Sequence, residues 1–182
     1  DVSGSTYRIQ VDDDANFGSP EIDQSGLTLS YQQTFSPLGD GTHSWRVRAT
    51  DANGNVSPWS AVFALTVDTT APVVTVNALL TNDPTPELTG TIDDVTANIL
   101  VTVNGVANLA GNNGNGTWTL PDNTLTNPLS DGVYDVQVSA TDFLNNNGSD
   151  NTTDELTIDS NFNPAGTLPI PTALSQYRSD GV

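Results

Sequence analysis

The chain has 182 residues, with 22 acids set against four arginines, one histidine, no lysine and no cysteine, for a formal net charge of -18. That balance argues against nucleic acid and against an anionic membrane surface as partners, and the missing thiols exclude disulfides and cysteine-ligated zinc. No run of about 18 apolar residues occurs, so no membrane insertion by a spanning helix is expected; the start at Asp1-Val2-Ser3, with neither methionine nor a basic apolar leader, reads as a piece of something longer.

Thr6 to Val11 alternates Tyr7, Ile9 and Val11 with Arg8 and Gln10, the period of a half-buried strand. Asp12-Asp13-Asp14-Ala15-Asn16 follows as turn and loop. Its Asp-x-Asp-x-Asn spacing is that of a calcium loop, but Phe17 stands where such a loop has glycine and no glutamate closes it. Leu27, Leu29 and Tyr31 alternate as a second strand. In a third, His43, Trp45, Val47 and Ala49 share one face and Arg46 and Arg48 the other. Asp51-Ala52-Asn53-Gly54-Asn55 reads as a loop, and Ser57-Pro58-Trp59-Ser60 opens a strand that runs to Val67. Beyond it, Val73-Val76 reads as a strand, then Ile99, Val101 and Val103, closed by the hairpin dipeptide Asn104-Gly105. Trp118 and Leu120 follow, then Tyr134, Val136, Val138 and Ala140, and finally Leu156 and Ile158. Helical periodicity is absent.

Sliding the chain against itself by 91 positions lays Leu65-Thr66-Val67-Asp68 on Leu156-Thr157-Ile158-Asp159 and Ala49-Thr50-Asp51 on Ala140-Thr141-Asp142. Pro37-Leu38 falls on Pro128-Leu129 and Asp40-Gly41 on Asp131-Gly132, without a gap. Such a period marks an array of modules. The expected division is a first module over 1–68, a second over 69–159, and over 160–182 a linker and the opening of a third. Between Thr69 and Asp159 there are twelve acids and no basic residue.

The runs Tyr7-Asp12, His43-Asp51 and Ser57-Ser60 resemble the second half of a bacterial fibronectin type III repeat. The resemblance implies strands C, F and G, with A and B missing from the head of the chain. Asp68-Thr69-Thr70-Ala71-Pro72, as a module junction, and Pro86-Asp94, as strand B, resemble the immunoglobulin-like repeats of large, calcium-dependent bacterial surface adhesins. Asn145-Asn146-Asn147 and Ser160-Pro164 depart from that pattern. The implied fold is all-β, two immunoglobulin-like β-sandwiches in tandem, the first incomplete. The implied setting is the bacterial cell surface, with neighbouring repeat modules as partners.

Catalysis is not expected. Nucleophilic chemistry needs a base beside a nucleophile, and the single histidine, His43, sits among apolar residues of a strand. Asp93 and Asp94, adjacent on a strand, would point to opposite faces rather than pair as a glycosidase requires. A metal is expected instead. Counting strands returns the loop of Asp93 and Asp94, and the loop of Asp142 and Asn145, to the module end where Asp68 enters. Four carboxylates there, with no lysine or arginine near, would repel unless a hard cation joined them, and calcium takes six to eight oxygens with loose geometry. Three functions follow: a structural extender rigidified by calcium, a glycan- or protein-binding accessory module, and a strand-donating filament subunit that self-associates head to tail through 160–182. Arg8, Arg46 and Arg48 beside Trp59 form either a binding patch or a structural ladder.

Overall fold

The computed structural model describes residues 4–28 and 37–163. The chain divides into two compact units, Asp1–Thr70 and Ala71–Val182, and is all-β, with no helix among the described residues. The expected strand around Leu29 and Tyr31 and the expected third-module opening from Pro164 onward lie outside the described residues.

In the first unit, β1 (Thr6–Asp12), β2 (Ile22–Leu27), β3 (Gly41–Thr50) and β4 (Phe63–Val67) form one sheet in the order β2-β1-β3-β4. All its pairings are antiparallel. Register sets the faces. Val11 lies opposite Trp45, which lies opposite Phe63, so these share a face with Ile9 and Val47. Arg8 opposite Arg48 and Gln10 opposite Arg46 put the cations on the other face. The alternation legible in Thr6–Val11 and His43–Ala49 is this division of the sheet.

The second unit is a sandwich of two sheets. The smaller orders β10 (Gly132–Tyr134), β13 (Leu156–Ile158) and β5 (Leu79–Thr81), with β5 parallel to β13. The larger runs β12 (Asn147–Ser149), β11 (Val136–Thr141), β7 (Asn98–Val103), β8 (Val106–Asn112), β9 (Thr117–Leu120) and β6 (Leu88–Thr91). The β7–β8 hairpin turns through Asn104 and Gly105, both at positive φ (49° and 78°), as a two-residue hairpin requires. Every second residue of β7 and β11 enters the core: Ile99, Val101 and Val103 face Val136, Val138 and Ala140. Trp118, Leu88, Leu120, Leu156 and Ile158 complete it.

Two expectations are refined. The run from Tyr134 to Ala140 is not one strand: it breaks at Asp135, so that Tyr134 pairs with Leu156 in one sheet and Val136 with Val103 in the other. Val73–Val76 makes no regular strand: Val74 bridges Ile92, the Thr75 N–H bonds the Thr91 carbonyl, and the Val76 N–H bonds the Asp150 carboxylate. That segment is nevertheless pinned. The Trp118 Nε1–H donates to the Thr75 carbonyl at 2.8 Å, over a glycine, Gly90, where an added Cβ would stand 1.9 Å from the same carbonyl oxygen. At Gly148 an added Cβ would lie 1.7 Å from the Pro72 carbonyl oxygen. Both glycines are there so that the incoming backbone can lie against the sheet.

Candidate functional site

The residues with chemistry to offer are carboxylates in turns, and the same arrangement is built twice. Asp40, just before β3, accepts through Oδ1 from the Thr69 N–H (3.0 Å) and Thr69 hydroxyl (2.8 Å), and through Oδ2 from the Thr70 hydroxyl (2.8 Å). Asp131, just before β10, accepts through Oδ1 from the Ser160 N–H (2.9 Å) and through Oδ2 from the Ser160 hydroxyl (2.9 Å). These two clasps stand 91 positions apart, residue for residue. Beside each, the preceding aspartate closes a turn on itself: Asp68 Oδ1 accepts from the Thr70 N–H at 3.0 Å, and Asp159 Oδ1 from the Asn161 N–H at 2.9 Å.

The loop after β3 is repeated in the loop after β11. Asp51 takes the Asn55 N–H on Oδ1 (2.8 Å) and the Asn55 side-chain amide on Oδ2 (2.8 Å). Asp142 takes the same two groups of Asn146 at 2.9 and 2.7 Å. Asn145 occupies the left-handed region inside this turn, φ 69°. The Asn55 side chain foremost, then backbone amides, holds the Asp51 carboxyl below the usual carboxylate range. For Asp142 burial opposes ionisation most strongly, but the Asn146 side chain and the turn's amides outweigh it and lower the carboxyl too.

Asp93 and Asp94 lie in the loop between β6 and β7. Asp93 Oδ1 accepts from the Val73 N–H at 2.8 Å, tying that loop to the chain entering the unit. Asp94 Oδ1 accepts from the Thr96 N–H and hydroxyl, both at 2.7 Å. The incoming Pro72-Val73 thus lies against both loops, Asp93 on one side and Gly148 on the other. Of the five residues expected to hold calcium, Asp68, Asp94, Asp142 and Asn145 sit in turns that their own hydrogen bonds or backbone conformation close, and Asp93 is bonded across to Val73. Among the described residues no group of three or more His, Cys, Asp or Glu side chains is placed to hold a metal ion.

The arginine face of the first unit is a ladder. The Arg46 guanidinium sits 4.0 Å from the Phe17 ring centroid and 4.5 Å from that of Trp59, with Arg48 at 4.5 Å and Arg8 at 5.9 Å from the same indole. Arg8 pairs with Asp23 through one guanidinium edge, Nε and Nη2 each to one carboxylate oxygen, Gln10 bridges Asp23 to Arg46, and Trp59 is half-buried among the three guanidinium groups. His43 is buried, with Nε2 2.8 Å from the Gly39 carbonyl and Nδ1 2.7 Å from Glu21 Oε2. On the second unit's outer face a polar groove of about 430 Å³ is lined by Thr102, Gln137, Ser139, Asp150 and their neighbours, without an aromatic ring for a sugar to stack on.

Residues 75–160 match the bacterial Ig-like domain. The matched residues hold the sandwich core, the Asp93 and Asp142 turns and the Asp131–Ser160 clasp. No curated protein matches the chain. Among solved structures, a tetra-tandem repeat from the extending region of a large adhesion protein is 23% identical with a TM-score of 0.44, over 86% of this chain and 42% of that one. Fibronectin(III)-like modules of Clostridium thermocellum CbhA are 14% identical with a TM-score of 0.45, over 84% of this chain and 77% of that one.

The clasps were not foreseen as a site. Their signal was nevertheless in the 91-residue shift, which aligns Asp40 with Asp131 and Thr69 with Ser160; periodicity within a strand cannot reveal a bond between residues 29 apart.

Proposed function

We propose that the chain is a pair of structural extender modules of a bacterial cell-surface adhesin, non-catalytic and exposed outside the cell. The observation that carries this reading is the match of residues 75–160 to the bacterial Ig-like domain, joined to side-chain contacts that recur in the unit before it at the spacing of the sequence repeat. A module that repeats its end geometry is built to be strung in series, with neighbouring modules of the same polypeptide as its partners. Surface exposure is tested on intact cells of the source organism. Antibodies against the chain should label them, and the label should vanish after mild external proteolysis. Labelling that needs permeabilised cells would contradict the reading.

Calcium at the junction is part of the proposal. Asp93 uses one carboxylate oxygen on the Val73 N–H and Asp94 one in its own turn, whereas both oxygens of Asp142 are taken by Asn146. A cation would have to compete with those bonds, so the affinity expected is that of extracellular modules, a dissociation constant of about 0.1 to 1 mM. At about 100 times that constant, calcium would stabilise the fold by about 2.7 kcal/mol. Thermal melts in calcium and in chelator decide it, and the rise should shrink in Asp68→Ala and Asp142→Ala. Identical melts in both conditions remove calcium from the account.

A further inference from the structure

We infer that Asp40 and Asp131 are positioning residues that set the direction in which the chain leaves each module, a stiffening device made of protein alone and independent of any cation. The inference rests on the extender reading and deepens it by naming what fixes the exit. Each carboxylate stands immediately before the strand that pairs with the last one of its unit, β3 with β4 and β10 with β13, and reaches the segment immediately after that last strand. Past the last strand, β4 or β13, the clasp ties the outgoing chain back to the start of the neighbouring strand. The clasp adds an N–H bond and a hydroxyl bond to the first residue past the linker aspartate, Thr69 or Ser160. In the first unit it also takes the Thr70 hydroxyl.

The chemistry explains the residue types. A carboxylate has two oxygens and can accept from backbone and hydroxyl together, which a single amide oxygen would do less well. Serine or threonine suits the partner position because its short hydroxyl can bond the carboxylate that its own N–H already touches. Thr69 and Ser160, the two residues at that repeat position, both meet this requirement. Meanwhile Asp68 and Asp159 spend an oxygen on the N–H two residues on, bending the segment into a turn. Turn and clasp together fix consecutive residues of the linker to the rim of the sheet.

The test uses the whole chain in chelator, so that no cation contributes. The absence of cysteine lets two spin labels be placed uniquely, at the exposed positions Ser19→Cys and Asn127→Cys, and the distribution of distances between them measured by pulsed electron resonance. Asp40→Ala and Thr70→Val should each broaden the distribution at least twofold. In the same samples the Thr69 amide should lose hydrogen-exchange protection in Asp40→Ala, while amides of β11 keep theirs. Should Asp40→Ala fail to fold, Thr70→Val, which removes a single surface bond, decides alone. A narrow parent distribution left unchanged by Thr70→Val overturns the clasp and spares the extender reading. A parent distribution already as broad as that of two modules on a free linker overturns the extender reading itself.

Discussion

His43 Nε2 lies 2.8 Å from the Gly39 carbonyl, and Nδ1 lies 2.7 Å from the Glu21 carboxylate at ion-pair distance but without hydrogen-bond geometry, surroundings whose negative charge favours the imidazolium. The backbone bond to Gly39 is the largest cause that raises the ring's pKa; burial pulls the other way, and Glu21 and Asp13 add to the rise. A group whose folded value is raised contributes stability in full below its unfolded value, about 6.5, and loses it as pH climbs through the folded value. The melting temperature of the first unit should therefore fall as pH rises above about 6.5, and His43→Gln should flatten that slope; a slope unchanged in the variant would assign it to other groups. The carboxylates act in the opposite sense. Asp40, lowered first by the Thr70 hydroxyl and then by Thr69, and Asp51 and Asp142, lowered in their turns, contribute above the ordinary carboxylate range. That contribution is lost as pH falls through their depressed values, so acid unfolding should begin below about pH 4. Chemical-shift titration of these four side chains checks both directions residue by residue.

At the scale of elements, the glycines that admit the incoming segment make sharp predictions. Gly148→Ala and Gly90→Ala place a methyl against backbone carbonyls that no rotamer change can move, and each should cost about 1–3 kcal/mol or more in chemical denaturation. Gly18→Ala meets nothing within 4 Å and its φ is not positive, so it should be neutral or stabilise by up to about 1 kcal/mol. Trp118, fully buried and bonded to Thr75, should cost about 3–5 kcal/mol when cut to alanine. The alternation of β1, β3, β7 and β11 was legible because one face of each is apolar and the other polar, and burial follows that pattern in β7 and β11. The break at Asp135 was not legible. Tyr134, Val136 and Val138 keep the same period across it, and only pairing with Leu156 on one side and Val103 on the other reveals that the strand changes sheets. The parallel pairing of β5 with β13 was hidden for a related reason: Leu79–Thr81 and Leu156–Ile158 are three residues each, 77 apart, and partner choice across such a gap is set by the packed whole.

For the molecule as a whole, composition and repeat fixed the class of protein more firmly than the site. A chain with 22 acids, three arginines stacked around one indole and no lysine has little surface to offer a polyanion, and its second module, without a single base, relies on counterions. The candidate metal residues were identified from charge and strand count, which locate loops but cannot say how carboxylates spend their oxygens. Asp51 and Asp142 spend theirs on asparagines four residues on, and that depends on turn geometry. If these are modules built for serial repetition, each unit holds its own fold. Native-state hydrogen exchange of the whole chain is the sharpest measurement: Trp118→Ala should lower protection through β7 and β11 and leave β1 and β3 as they are in the parent. Protection lost together in both units would contradict a chain of self-contained modules.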